Sequence, residues 1–555
     1  MAQLLDDKGR AITPAMVAQA RMSAWHPRGS GRYGYSPGGE ARQAALAGWT
    51  PSLRTADGAN AYSRDLTNAR VRDLIRTNGT ARAAIVKNAD MVVGQALKLM
   101  SLPDANALMV SREEAMALGK AIEAHWRTFA HDPLKRCDRI RRHQFPGLAN
   151  LLFREWCQVG ESFYVIRKKV RPAWMYSTAL HIVNVERMSN PHGMMDRPEL
   201  RGGIEFDDAG EALAYHIRQT HPGASYLDPR VNEWLRVPKE TSWGRPVGVH
   251  GFESEEAEQT RGISPFAAIL EAFKMIDRHG HAELQNAVAN ALFVAFISSS
   301  YDPFSVAQNL EVNPTGAARD WNDVRGEFYQ GNEVKVGEAT LPVLPPGDTI
   351  EMNNTARQAA SLDAFRGVFL REIASALGVP YIALAEDWKA VTYSSARAAL
   401  NEIWRSVQSR RASFVEQVIT PFFYAFVEEL FAEGLITAPS GAPSFWEMPA
   451  AYLRCTWIGP GRGYIDRKKE AEGAKTLKNE RFTTLRREHA EQGQDWEEEL
   501  DQMAREASYL AELELAPSLA AAGVPDANLP PAPDPADPED PDADDRAELA
   551  ALQDA

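Results

Sequence analysis

Residues 395 to 434 carry Leu400, Ile403, Trp404, Val407, Phe414, Val418, Phe422, Phe426 and Leu430 at helical spacing, a pattern that persists to Gly434. About 39 residues at about 1.5 Å each span roughly 58 Å. That is longer than a compact domain requires, and a bend is expected at Pro421. Small polar residues, Ser394 and Ser395, stand where such a helix would be capped. Its first half is crowded with Arg397, Arg405, Arg410 and Arg411. The helix dipole is positive at that end, so a cationic first half is unfavourable in isolation; it either faces a partner or is a screened, solvated face.

The 555 residues of the chain allow about three or four packed units. With 44% hydrophobic and 25% charged residues, there is ample material for cores. Charge is placed unevenly: residues 516–555 hold ten acidic groups against Arg546 alone, −9 of the total of −14, leaving −5 for the remaining chain. The body is therefore nearly balanced. Cys137, Cys157 and Cys455 are too scattered for a disulfide framework or a zinc site, and read as buried hydrophobes in a reducing compartment. "MAQLLDDKGR" lacks the basic-then-apolar pattern of a signal peptide, and "NALFVAFI" is far short of a membrane span. A cytoplasmic site of synthesis, without membrane association, is expected.

Residues 22–60 are rich in Gly, Pro, Arg and Tyr and read as an extended arm. "RDLTNARVRDLIRTNGTARAAIVKNADMVVG" predicts two helices separated by "TNGT". "QALKLM" and "SFYVIRKKV" predict strands, and "GGIEFDDAGEALAYHIRQ" predicts two strands about a "DDAG" turn. An α+β domain over about 61–262 follows. Ser264 with Pro265 then announces a long helix, with a bend expected near Gly280. A weakly patterned insertion of about 60 residues separates it from a second helix that stops at Gly378 and Pro380. Residues 381–394 read as a loop. Residues 465–512 are helical and charge-rich, and the acidic, Pro-rich end reads as disordered.

The search for chemistry is mostly negative. There is no phosphate-binding G-x-x-x-x-G-K-[ST], no H-E-x-x-H and no G-x-S-x-G, and "GPGRGY" at 459–464 reads as a turn. His279 and His281 are two residues apart on a helix and point to different faces, so they do not make a metal site. Glu155 and Glu161 are better explained by a helix end and turn than as paired catalytic carboxylates. The aromatics in "RPAWMY" and "NEWLRVPK" read as packing rather than single-strand stacking, because no net basic patch accompanies them. No catalytic residue, metal or cofactor is assigned.

In order along the chain, "RDLIRTNGTARAAIVKNADMVVGQALKL", "REWCQVGESF", "GGIEFDDAGEALAYHI", "RGISPFAAILEAFKMIDRH", "LPPGDTIE" and "FLREIASALGVPYIALAEDWKAVTYSSARAALNEIWR" resemble the lambda-type portal proteins of tailed bacteriophages. The resemblance runs from about 60 to 510. Thr392 departs from it, standing where the family pattern has Asn before Tyr-Ser-Ser. The resemblance implies a portal fold of class α+β: an arm (1–60), an α+β wing (61–262), a first stem helix (263–292), a clip (293–352) and a second stem helix (353–379). A channel loop (380–394), a long helix with the remainder of the wing (395–470), crown helices (471–515) and a disordered acidic tail (516–555) complete it.

It also implies a dodecameric ring at one capsid vertex of the virion, assembled in the host cytoplasm, that conducts double-stranded DNA without sequence specificity. The terminase large subunit, the major capsid or scaffold protein and a head-tail connector are the implied partners. The loop residues Glu386, Asp387, Trp388 and Lys389 are expected to line the channel. Arg397 and Arg405 are expected to meet a neighbouring subunit or DNA. The alternatives are an intracellular metal-dependent hydrolase or nuclease with an unrecognised carboxylate site, and a generic scaffold or adaptor.

Overall fold

A computed structural model describes residues 52–224, 228–292, 333–336, 339–342, 358–387, 393–463 and 466–513. The chain divides into two units, 1–59 and 60–555. Most of the expected arm lies outside the described residues.

Helices α1 (Arg64–Thr77) and α2 (Gly79–Val92) meet at Asn78, the turn expected from "TNGT". Its extended backbone ends α1, and its side-chain oxygen accepts from Ala81 N at 3.0 Å to cap α2. Strand β1 (Lys98–Ser101) follows. Helix α3 (Arg112–Ala130) opens with a reciprocal Ser111–Glu114 capping box. Helix α4 (Phe145–Val159) carries Pro146 in its first turn and ends at Gly160 in the left-handed conformation.

Strands β2 (Glu161–Lys168) and β3 (Thr178–Ile182) come next, then β4 (Leu200–Arg201), β5 (Ile204–Phe206), β6 (Ala212–Arg218), β7 (Trp234–Pro238) and β8 (Gly248–Phe252). They form a three-stranded antiparallel sheet, β3-β2-β8, and a four-stranded antiparallel meander, β4-β5-β6-β7. The "DDAG" turn joins β5 to β6 as expected. Strand β2 is buried on both faces, so it reads as a continuous apolar run. Tyr164 and Ile166 enter the main core, while Phe163 and Val165 enter a second one with Ile204, Tyr215 and Ile217.

Helix α5 (Leu270–Leu292) begins later than Ser264–Pro265 announces. The Ser264 hydroxyl donates to Gln158 O at 2.6 Å and accepts from Phe266 N at 3.2 Å, closing a local turn. A 3₁₀ turn, Ala267–Ile269, then leads into the helix, which is unbroken through Gly280. In the insertion the described residues form a hairpin, β9 (Glu333–Val336) with β10 (Ala339–Pro342). Helix α6 (Gln358–Leu377) ends at Gly378, whose φ of 61° is the expected left-handed stop. The expected loop is partly helical: Tyr381–Ala385 forms the short α7, with Leu384 buried. Residues 388–392 lie outside the described residues.

The long helix is two helices joined without a break. Helix α8 (Tyr393–Phe414) starts before the expected caps, so Ser394 and Ser395 fall within its first turn. At Val415–Ile419 the helix widens to π geometry and continues as α9 (Thr420–Ala432) to Gly434. Proline lacks an N–H and crowds the carbonyl four residues earlier. The wider turn ahead of Pro421 relieves this locally, a π-bulge where a bend was expected. The Val418 carbonyl accepts from the Tyr164 hydroxyl at 2.5 Å, and Gln417 Oε1 accepts from Phe252 N at 3.0 Å. The irregularity thus locks α8–α9 to β2 and β8. Beyond it, Phe422 and Phe426 pack with Trp126, Phe129 and Phe145 in the fully buried aromatic centre. Strand β11 (Cys455–Ile458) returns to pair antiparallel with β1. Helices α10 (Arg467–Asn479), α11 (Leu485–Glu491) and α12 (Trp496–Glu512) follow in the charge-rich region.

Three buried glutamates tie this frame together. Glu161, wholly buried, accepts from Arg261 at 2.5 and 2.8 Å and lies 2.8 Å from His250 Nε2. Burial opposes its ionisation, but Arg261 and His250 outweigh that and hold the carboxyl well below the usual range; burial likewise pulls His250 down. Glu429, also fully buried, accepts from Ser177 N and Oγ at 2.5 Å and from Thr178 N at 2.9 Å, pinning α9 to β3. Arg245 pairs with Glu428 beside it.

Candidate functional site: the root of the 380–392 segment

The expected site residues fall into two groups. Glu386 and Asp387 follow α7; Trp388 and Lys389 lie outside the described residues. Glu386 is held at φ 53°, the left-handed region, and its carboxylate lies 3.7 Å from Lys87 Nζ on α2. Both side chains are exposed, so this pair is worth at most about 1 kcal/mol. Arg397 and Arg405 lie exposed on α8, without a hydrogen bond or ion pair among the described residues. Among the described residues no ion pair joins them to Glu386, which meets Lys87.

Arg410 and Arg411 answer the question their helix poses. Arg410 Nη1 donates to Leu377 O, the last carbonyl of α6, at 3.1 Å, and to Asn88 Oδ1 on α2 at 2.6 Å. Arg411 donates to Val92 O at 2.8 Å, Met91 O at 2.9 Å and Pro460 O at 3.3 Å, with its guanidinium over the Trp404 ring. Carbonyls at a helix C-terminus lack intrahelical donors and carry the negative end of the dipole. The two guanidinium groups supply donors and positive charge together, so α8 binds the ends of α6 and α2. Burial pulls the Arg411 guanidinium down to about 10, which still leaves it charged near neutrality.

Glycine makes the seats. A Cβ on Gly378 would lie 2.4 Å from Arg410 Nη2, and one on Gly459 would lie 2.3 Å from Arg411 Cζ. "ALGVP" and "GPGRGY" therefore flank one hub. Sequence reasoning missed these two arginines as site residues because their partners are backbone carbonyls, which every residue carries. The available signal was an adjacent Arg pair on a helix whose neighbours end in glycine.

The other candidates resolve into structure. His279 packs edge-on against Phe365 of α6, with ring centroids 4.2 Å apart. Glu155 pairs with Arg72 at 2.7 Å, whereas Glu161 pairs with Arg261, so each carboxylate is committed to a different guanidinium. Trp174 lies under Arg136 and against Tyr176, and Trp234 lies under Arg218. Among the described residues no group of three His, Cys, Asp or Glu side chains could hold a metal ion, and no helix is long and apolar enough to cross a membrane.

The family model described as "Phage portal protein, lambda family" matches residues 42–411. The chain is 31% identical over 482 residues to Portal protein B of Escherichia phage lambda, covering 85% of this chain and 89% of that one. It is 30% identical over 488 residues to the Portal protein of Escherichia phage N15, with the same coverage of 85% and 89%. Among solved structures, a chain from the neck of an empty gene transfer agent particle is 14% identical, with 81% of this chain and 97% of that one covered at a TM-score of 0.36. That score is too low for shared architecture to follow. The family model and both phage relatives converge: the chain belongs to the lambda family of phage portal proteins.

Proposed function

We propose that copies of this chain close into a dodecameric ring at one capsid vertex of the virion and form the conduit for double-stranded DNA during packaging and ejection. The family match over residues 42–411 is the observation that carries this reading. The ring docks the terminase large subunit on one side and a head-tail connector on the other, contacts the major capsid or scaffold protein, and is assembled in the host cytoplasm. Its role is passage rather than catalysis. Residues 61–262 with the later part of 395–470 form the wing, α5 and α6 the two stem helices around a clip at 293–352, and α10–α12 the crown.

Glu386, Asp387, Trp388 and Lys389 line the narrowest part of the channel. A conduit that neutralised many phosphates firmly would oppose movement, since each neutralised phosphate strengthens binding. Mixed charge in this segment suits weak, sequence-blind contact. Arg397 and Arg405 then face acidic groups of the neighbouring subunit or DNA phosphate; their exposure on α8 supports this.

Negative-stain electron microscopy with a solution mass tests the assembly. Rings with an axial hole and the mass of a dodecamer are expected, whereas persistent monomers that cleave DNA with a divalent metal would overturn the reading. Lys389→Ala, or deletion of 386–389, is expected to leave the rings intact and impair DNA packaging or retention. Loss of assembly without a separate DNA defect would remove the loop assignment.

A further inference from the structure

The 380–392 segment begins immediately beyond the node that Arg410 closes. Arg410 reaches both Leu377 O and Asn88 Oδ1, while Asn88 Nδ2 itself donates to Leu377 O and Ala84 O, each at 3.3 Å. Three helices, α2, α6 and α8, therefore share one buried polar junction at the last carbonyl before Gly378. The segment is built directly on it. Val379 N donates back to Ala374 O at 3.0 Å, and Leu384 N donates to Pro380 O at 2.9 Å as α7 starts. Beside the junction lies a cavity of about 260 Å³ whose lining includes Asn88, Trp156, Cys157, Glu253, Leu377 and Arg410. The guanidinium is held at this edge by its hydrogen bonds to Leu377 O and Asn88 Oδ1.

We propose that Arg410 is a positioning residue for the channel segment: through Leu377 and Asn88 it fixes the segment's root to α8 and α2, so that a displacement of α8 is carried into residues 379–387. This rests on the channel reading of that segment, and adds the element that sets its position. The Lys87–Glu386 pair is too exposed to serve as the anchor. The fork geometry matters, because a guanidinium serves two acceptors at fixed angles and an ammonium does not.

Hydrogen exchange on assembled full-length rings tests it, read on peptides spanning 379–387 and, as an internal reference, 161–167 of β2. Arg410→Ala is expected to speed exchange in 379–387 about tenfold or more with β2 unchanged. Arg410→Lys should restore part of the protection. Should Arg410→Ala fail to assemble, Asn88→Ser is read on the same peptides against the same criteria. Unchanged exchange in 379–387, or a rise in step with β2, overturns the proposal. DNA retention by the same rings separates this from the underlying reading. Faster exchange in 379–387 with normal retention leaves the anchor standing and removes the segment from the channel's function.

Discussion

Arg397 and Arg405 sit on the same helix as Arg410 and Arg411 and differ from them only in position, yet their surroundings are opposite. The second pair is spent inside the fold, on the carbonyl ends of α6 and α2. The first pair stands in solvent without a partner among the described residues. The same division runs through the molecule. Arg72, Arg245 and Arg261 are each committed to carboxylates inside the fold, whereas Lys87 on α2 and Glu386 beyond α7 meet only loosely. Arg245, Arg261, Arg410 and Arg411 spend their charge on acceptors inside the fold, while Arg397 and Arg405 remain exposed. Composition alone, nearly balanced over the body, cannot tell the two apart.

The largest effect is expected where buried charge is unbalanced. Glu161→Gln leaves Arg261 buried without its counter-charge and should cost about 3–5 kcal/mol in a denaturant titration. Acid should act on the same cluster. The Glu161 carboxyl is depressed in the folded state, so its contribution is present above the unfolded value of about 4.3 and is lost as pH falls below it. His250 is depressed as well, so its protonation penalises the fold progressively below about 6.5. Both terms have one sign. Thermal stability should fall gently from about pH 6.5 and steeply below about pH 4.5, with the steep limb weakened in Glu161→Gln. A melting temperature flat over that range would break the distinction between structural and available charge.

Next comes the hub. Arg411→Ala leaves the carbonyls of Met91, Val92 and Pro460 without their donor and strips the face of Trp404, a loss of about 2–3 kcal/mol. Arg411→Lys should recover only part of it. Tyr164→Phe removes a single hydroxyl from Val418 O at the π-bulge and should cost about 1 kcal/mol. That value, set against the Arg411 loss, separates what the bulge contributes from what the hub contributes.

Legibility in the sequence follows the range of the interactions. The long helix, the Asn78 turn, β2 and the Gly378 stop are written in local periodicity and capping, and all appear. The late start of α5 is not legible because Ser264 followed by Pro265 has the composition of a cap, yet the Ser264 hydroxyl, oriented by donating to Gln158 O of α4, accepts from Phe266 N and closes only a local turn. The pairing of β1 with β11 joins residues near 100 to residues near 456 and leaves no local trace. Pro421 marks the irregularity locally, but the partners of the widened turn, Tyr164 and Phe252, are far away in sequence. The hub was invisible for a chemical reason: its acceptors are backbone.

The smallest effect on stability is expected at the exposed pair, and it carries the sharpest test of the comparison. Exposed substitutions away from caps and networks change stability by less than about 0.5 kcal/mol. Arg397→Ala combined with Arg405→Ala should therefore melt as the wild type does. If these side chains serve a partner, the defect appears elsewhere, and its form identifies the partner. Contact with acidic groups of a neighbouring subunit predicts rings that dissociate at lower salt than wild type, with normal DNA retention in those that remain. Contact with phosphate predicts intact rings and a shallower salt dependence of DNA retention, because fewer counterions are displaced. Wild-type behaviour in both assays would place Arg397 and Arg405 among ordinary solvated surface charge and leave Arg410 and Arg411 as the arginines on which the helix depends.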